Sequence, residues 1–326
     1  QSLAAGREIV SVFVGRGTPS LVAPAFSRRF LEALAARLPL ASDIEITLEA
    51  NPGTLERGCF AGYREAGINR LSLGVQSFQD DQLAALGRIH GGADAEAAIE
   101  EARDAGFDNL NIDLMHGLPG QTVELALSDL DRALTFSPEH LSWYQLTLEP
   151  NTEFHSRPPT LPEEEVLWDI QDIGHERLEA AGLGRYEISA YARPGRRARH
   201  NLNYWRFGDY LGIGAGAHGK LSTWTDNGLA IERRWKARQP EAYLRRRRDP
   251  RGLFAGRATV EPDELPLEFA MNALRLVDGV SLATWRAHTG YTPEVMASRL
   301  AQAREKGLLV EDPGRLQASP RGLLFL

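Results

Sequence analysis

The chain has 326 residues, 43% hydrophobic and 25% charged, with one cysteine and a net charge of −7, a balance that excludes a fibrous or disordered polymer and gives no whole-molecule field for nucleic acid. The length predicts two domains, and Cys59 by itself can form neither an internal disulfide framework nor a metal cluster. No apolar run reaches the roughly 20 residues of a bilayer span and no secretory signal opens the chain, so the expected location is the cytoplasm.

In chain order, one unit repeats. The β-rich run EIVSVFV (8–14) leads into APAFSRRFLEALAARL (23–38), whose apolar residues fall at helical spacing. The alternation returns with IEITLEA (44–50) and LERGCFAGYREAG, then NRLSLGVQ (69–76) and ADAEAAIEEARDAG (93–106). It continues with NLNIDLM (109–115) and TVELALSDLDRALTF (122–136), then HLSWYQL (140–146) and PEEEVLWDIQDIGHERLEAAG (162–182). Five βα units predict parallel strands with helical crossovers on one outer layer, a full or partial TIM-like βα barrel of the α/β class. In such a barrel the strand carboxyl ends gather the active site. The five exits are Gly15-Arg16-Gly17-Thr18-Pro19, Glu49-Ala50-Asn51-Pro52-Gly53, Gln76-Ser77-Phe78, Asp113 to Pro119, and Gln145 to Asn151. Each alone reads as an ordinary turn; five in succession, each with a glycine, an acid or an amide, predict one shared mouth.

Farther on, Gly214-Ala215-Gly216-Ala217-His218-Gly219 fits G-x-G-x-x-G, but KLSTWTDNG follows it, with β-like and turn residues in place of an opening helix, so a tight structural loop is expected. Past residue 220 the βα rhythm stops. The basic run ERRWKARQPEAYLRRRRDPRG leads to a small helical segment, and GLLVEDPGRLQASPRGLLFL predicts a β-hairpin wing beside it. The expected division is therefore 1–220 and 221–326. A winged-helix-like C-terminal domain with the run Arg245 to Arg248 raises a nucleic-acid-binding adaptor as an alternative; that run precedes the last helix, TPEVMASRLAQAREKG, rather than occupying it, which favours a lid or partner-binding cap.

The strings VFVGRGTPS, EITLEANPGT, GINRLSLGVQSFQDDQLAALGRIH, NIDLMHGLPGQT, LSWYQLTLEPNTEF and HNLNYWRFGDYLGIGAGAHGK resemble the HemW branch of the radical S-adenosylmethionine proteins, related to oxygen-independent coproporphyrinogen III oxidase. The resemblance implies a partial βα barrel that binds S-adenosylmethionine beside a [4Fe–4S] cluster, and a chaperone that binds heme and passes it to an acceptor apoprotein such as a respiratory one. A radical enzyme of porphyrin biosynthesis is the alternative. Carried onto matching positions, it nominates Gly15, Gly17 and Thr18 as the methionine cradle, Glu49, Gln76 and Asp113 for ribose or methionine polar groups, and Arg88 for the carboxylate. His200-Asn201-Leu202-Asn203-Tyr204-Trp205 matches the family's His-Asn-x-x-Tyr-Trp motif. That match nominates His200 as iron ligand, Asn201 beside it, Tyr204 and Trp205 against the porphyrin face, and Arg193, Arg196, Arg197 and Arg199 for the propionates. His90, His116, His140 and His218 remain other ligand candidates, and a loop histidine among core aromatics and a solvated arginine run remains the plain reading of the same stretch. Two departures are expected to matter. Arg16 stands where the family turn carries glycine, and the family's first strand and Cys-x-x-x-Cys-x-x-Cys loop have no counterpart here. The expectation is thus an N-terminally truncated chain that does not cleave S-adenosylmethionine reductively.

Overall fold

A computed structural model describes residues 6–15, 22–53, 59–226, 228–249 and 252–326. The chain divides into two compact units, 1–200 and 201–326. The division falls twenty residues before the expected 220/221, because 201–217 joins the fold of the strands that follow it rather than the βα repeat.

In the first unit the elements run β1 (Ile9–Val14), α1 (Pro24–Ala35), β2 (Leu40–Ala50), α2 (Phe60–Glu65), β3 (Arg70–Gln76), α3 (Asp80–Ala85), α4 (Gly92–Asp104) and β4 (Leu110–His116). They continue with α5 (Val123–Thr135), β5 (His140–Gln145), α6 (Glu153–Ser156), α7 (Glu164–Ala180), β6 (Gly184–Glu187) and β7 (Ala190–Ala192). The sheet order is β1-β2-β3-β4-β5-β7-β6. The first five strands are parallel, as the βα repeat predicts. The far edge departs from that expectation. There α7 returns the chain to β6 in the common direction, and the two residues Ile188 and Ser189 fold β7 back between β6 and β5, antiparallel to both. So short a loop can only make a hairpin.

The two faces of this half-barrel differ in chemistry. Ile46 and Leu48 of β2, Leu71, Leu73 and Val75 of β3, Leu110, Ile112 and Leu114 of β4, and Leu141 and Trp143 of β5 are buried in one core with residues of the helices, among them Ala98, Ile99, Leu130 and Leu178. Cys59 packs against that core. Trp143 needs a helix without a side chain opposite it, since a Cβ on Gly174 of α7 would lie 1.9 Å from its ring. The alternate residues on the inner face are polar: Glu45, Thr47 and Glu49, then Arg70, Ser72 and Gln76, then Asn111 and Asp113, then His140, Ser142 and Tyr144.

In the second unit α8 (Arg199–Trp205), which begins in the first, leads to β8 (His218–Thr225), β9 (Gly228–Lys236), α9 (Pro240–Arg245) and β10 (Phe254–Thr259). Then come α10 (Leu265–Ala273), β11 (Val280–Ser281), α11 (Leu282–Thr289), α12 (Ala297–Glu305), β12 (Arg315–Leu316) and α13 (Pro320–Leu323). An antiparallel sheet of order β10-β9-β8 stands where a basic run into helices was expected. The strand signal was the alternation of Ile231, Arg233 and Trp235, obscured by arginine. Ile231, Phe207, Phe269, Trp285, Leu276, Leu300 and Leu316 form this unit's core. The expected wing forms: Leu309 bridges Ala318, the Val310 N–H donates to Gln317 O at 3.0 Å, and the return arm also pairs with β11. The glycine-rich stretch before β8 is the tight loop anticipated, with φ of 109° at Gly214 and 69° at Gly216, values that favour glycine. Among the described residues no helix is long and apolar enough to cross a membrane.

Candidate functional site

The inner face of the half-barrel carries a connected polar network. Asn111 Nδ2 lies 2.7 Å from Ser72 Oγ and 2.8 Å from Asp113 Oδ1, and Ser72 Oγ donates to Asp113 Oδ2 at 2.9 Å. Asn111 Oδ1 accepts from Ser142 Oγ at 3.1 Å and faces His140 Nδ1 at 2.6 Å, while His140 Nε2 meets the Tyr186 hydroxyl at 2.8 Å. Neighbouring strands supply neighbouring members because the parallel register sets Ser72 beside Asn111 and Asp113 beside Ser142. Burial raises the Asp113 carboxyl above its usual range, against the opposing pull of bonds from Asn111, Ser142 and Ser72 and the charge of Arg70. The same burial, with Arg70, holds His140 neutral.

Above this layer lies the mouth. Gln76 closes β3 with φ 69°, a left-handed conformation rare for a residue with a side chain, and it is buried to 3% exposure. Its Oε1 accepts from the Tyr144 hydroxyl at 2.7 Å. Loss of hydration pushes the Tyr144 phenol up, and the charges of Asp113, Arg88 and Glu49 act on it as well. Tyr144 thus bonds one of the four polar residues nominated for the cofactor, Gln76, and lies within reach of the charges of the other three, Glu49, Arg88 and Asp113. At the end of β1, a Cβ on Gly15 would stand 2.7 Å from Glu49 Oε2 and 2.5 Å from the Phe13 ring, so only glycine lets the backbone lie against that carboxylate. Arg16, Gly17 and Thr18 lie outside the described residues.

His200 is placed on the same inner face. Its ring stacks on Phe13 with centroids 4.2 Å apart, and its backbone N–H and that of Arg199 donate to the Glu45 carboxylate at 3.2 and 3.1 Å. Glu45 thereby accepts from two of the first free N–H groups of α8. Burial and the nearby charge of Arg70 lower the His200 imidazole to about 4, so at neutral pH it is the uncharged base that can ligate iron. The rest of its motif falls in the second unit. Tyr204 packs on Tyr210 at 4.5 Å, and Trp205, half-buried, packs against that unit's core, with Arg275 over its ring at 4.5 Å. Asn201 also holds an interaction of its own.

The arginines nominated for propionates are engaged elsewhere. Arg193 donates to Pro138 O, Arg196 pairs with Asp108, Arg197 lies over the Tyr186 ring, and Arg199 pairs with Asp43. Of the other histidines, His90 is buried with Nε2 3.1 Å from Val75 O, and His116 lies against Trp143 on the outer face, lowered to about 3 by burial and the neighbouring His175. His140 belongs to the network, and His218 is exposed beside Trp235 in the second unit. Sequence reasoning passed over Tyr144, Asn111, Ser72 and Glu45. Their signal was present as the period-two polar alternation in IEITLEA, RLSLGVQ, NLNIDLM and HLSWYQ.

Residues 2–132 match the Radical SAM superfamily and residues 260–325 match the HemN C-terminal domain. The heme chaperone HemW of Escherichia coli is 48% identical over 323 residues, 99% of this chain and 83% of that protein. The chain belongs to the HemW heme chaperone family. HemW of Haemophilus influenzae is 46% identical, over 98% of this chain and 82% of that protein. Among solved structures, Escherichia coli coproporphyrinogen III oxidase, a radical SAM enzyme, superposes with a TM-score of 0.80 at 22% identity, covering 98% of this chain and 76% of that one, a likeness of fold.

For a HemW-family chain the polar mouth fits S-adenosylmethionine: a Cβ at Gly15 would fill the space against the Glu49 carboxylate, so glycine keeps that approach open at the strand ends, while Thr47 Oγ1 and Arg70 Nε, without a partner among the described residues, lie deeper, at the start of β3. A [4Fe–4S] cluster is not fitted by these residues. Three thiolates are needed, and Cys59 is the one cysteine in the sequence and packs against the helix-side core.

Proposed function

We propose that this chain handles heme as a cytoplasmic chaperone, taking it through the region of His200 and passing it to an acceptor apoprotein, on a half-barrel whose mouth holds S-adenosylmethionine. The observation that carries the reading is a half-buried, neutral imidazole, stacked on Phe13, at the family's motif position in a chain 48% identical to a heme chaperone. The His200 imidazole would hold the heme through its iron, which would accept a nitrogen ligand. The chain's own part is to keep His200 unprotonated by burial and to fix its backbone through Glu45. Because the four nearby arginines are engaged, recognition of the macrocycle rests more on ring packing than on propionate pairing. At the mouth Asp113 and Glu49 accept from hydroxyl or amino groups, Gln76 offers its amide, and Arg88 meets a carboxylate. No reductive cleavage step is assigned to this chain.

The test is a heme titration followed by visible absorption, run on wild type, His200→Ala and His218→Ala. Saturable Soret change weakened at least about tenfold in His200→Ala alone supports the reading. Equal titrations in wild type and His200→Ala, with both chains folded, overturn the ligand assignment; no saturable change in any chain overturns heme binding by these residues.

A further inference from the structure

The feature that the half-barrel chemistry leaves unused is the basic segment of the second unit. Between Arg233 and Arg257 the sequence carries ten Lys and Arg against two Asp and Glu, a surplus of eight in a chain whose total is −7. Part of this charge is spent locally. Arg233 pairs with Glu268, Arg234 with Glu232, the Lys236 ammonium donates to Gly212 O, and Arg246 donates to Phe254 O. The remainder is not. Arg238, Arg247, Arg248 and Arg257 are exposed and make no hydrogen bond or ion pair among the described residues.

These free cations flank a strand edge in the chain: Arg257 stands on β10, Arg247 and Arg248 follow Arg246, which bonds the first carbonyl of β10 at Phe254, and Arg238 follows the end of β9 that pairs with Phe254. β10 is the outer strand of its sheet and pairs with β9 alone among the described strands, and Ala255, Arg257, Ala258 and Thr259 are exposed along it. Its geometry is fixed from behind. A Cβ on Gly256 would come within 2.3 Å of the Trp235 ring, so the indole lies flat against the strand, and Phe254 is covered by Arg234 and Lys236, each 5.2 Å from its ring centre. An unpaired edge offers main-chain N–H and C=O groups to another strand, and natural sheets commonly blunt such edges with charge. Here the charge is of one sign, which discourages pairing with a second copy of the same edge and selects a partner of opposite charge.

We propose that the β10 edge and its arginine rim dock an extended acidic segment of a partner protein by strand addition. The main-chain ladder supplies the pairing and Arg238, Arg247, Arg248 and Arg257 supply the selectivity. A peptide fits better than nucleic acid because the edge matches peptide rather than sugar-phosphate spacing, and Phe254, the aromatic within β10, is covered and closed to base stacking. Leu244, 57% exposed on α9 beside the rim, gives an apolar side chain of such a segment a place to pack. This reading does not rest on heme binding.

The experiment uses the whole chain and two fluorescein-labelled ten-residue peptides, one alternating Glu and Val and one alternating Lys and Val, read by anisotropy, with hydrogen exchange measured across 254–259. A duplex DNA and vesicles of anionic phospholipid are titrated beside them. The variant is Arg248→Glu with Arg257→Glu, and the control, with the same change of charge in the same unit, is Arg299→Glu with Arg321→Glu. Expected are binding of the acidic peptide alone, weakened at least about tenfold in the first variant and under about threefold in the control, with slowed exchange in β10. Acidic-peptide binding without protection of β10, equal losses in both variants, preference for DNA or vesicles, or no binding of the acidic peptide by the folded chain would each overturn the proposal.

Discussion

The two units put their polar groups to opposite uses. In the half-barrel the inner face is polar yet buried, and its side chains bond one another in the network from Ser72 through Asn111 and Asp113 to His140 and Tyr186. In the second unit the interior around Phe269 and Trp285 is apolar, and charge stands outside around β10 with several members unpaired. A buried, bonded network presents fixed donors and acceptors to a small ligand, since the groups are already ordered and desolvated. Exposed, unpaired charge recognises something large and hydrated. Stability in both units lies on the apolar side of a sheet.

The comparison breaks most visibly on the helix side of the half-barrel. Leu73→Ala, which empties a fully buried position, is expected to cost about 2 to 5 kcal/mol and to leave heme titration of the folded fraction unchanged, as thermal melts and Soret titration will show. Gly174→Ala should cost roughly 1 to 3 kcal/mol because its methyl meets the Trp143 ring; melting within a degree of wild type would mean that α7 gives way freely.

The pH dependence follows from the buried imidazoles. His116 is lowered to about 3 by burial and His175; His175 to about 4 by burial and Arg185; His200 to about 4 by burial and Arg70. The unfolded chain binds these protons near pH 6.5 and the folded chain does not, so stability rises with pH through this range. It is complete above about pH 6.5 and is lost as pH falls from there toward 4, by on the order of 1 to 3 kcal/mol for each deeply buried ring. Melting temperatures at pH 7 and 5 should therefore diverge, and His175→Gln should narrow the gap.

On the inner face two effects oppose. Asp113→Asn removes a carboxylate whose ionised form burial opposes, but its amide nitrogen must face either Ser72 Oγ or Asn111 Nδ2, both of which donate to Asp113, so the melting point at pH 7 should correspond to a change of no more than about 1 kcal/mol. S-adenosylmethionine binding, read by calorimetry, should weaken. A larger loss of stability would show that the lost accepted bond outweighs the relief of burying a charge. The smallest effect belongs to the rim: Arg247→Ala with Arg248→Ala should change stability by no more than about 0.5 kcal/mol, and a larger loss would reveal a structural role for these side chains.

Much of the half-barrel was legible in the sequence. The ends of β1 through β5, each within one residue, and the helix pattern between them follow from β-rich runs separated by helix-length segments, although β2 begins four residues before its expected start. The β6–β7 reversal escaped because GRYEISAYA is too short to announce two strands, and the sheet at 218–259 escaped because arginines on the exposed positions of β9 hid its alternation.

What the sequence by itself determined is periodicity: which segments are strands, which are helices, and the alternation that puts leucine on one face of β3 and Arg70, Ser72 and Gln76 on the other. It also determined family membership through long motif strings. Only tertiary structure decided which polar residues meet. Tyr144 reaches Gln76 across 68 positions of sequence because the parallel register brings their strand ends together, and Trp205 packs, half-buried, against the core of the second unit because α8 passes into that unit's fold. Local pattern fixes the direction of a side chain, while its partner is set by strand order and register, which no short stretch of sequence contains.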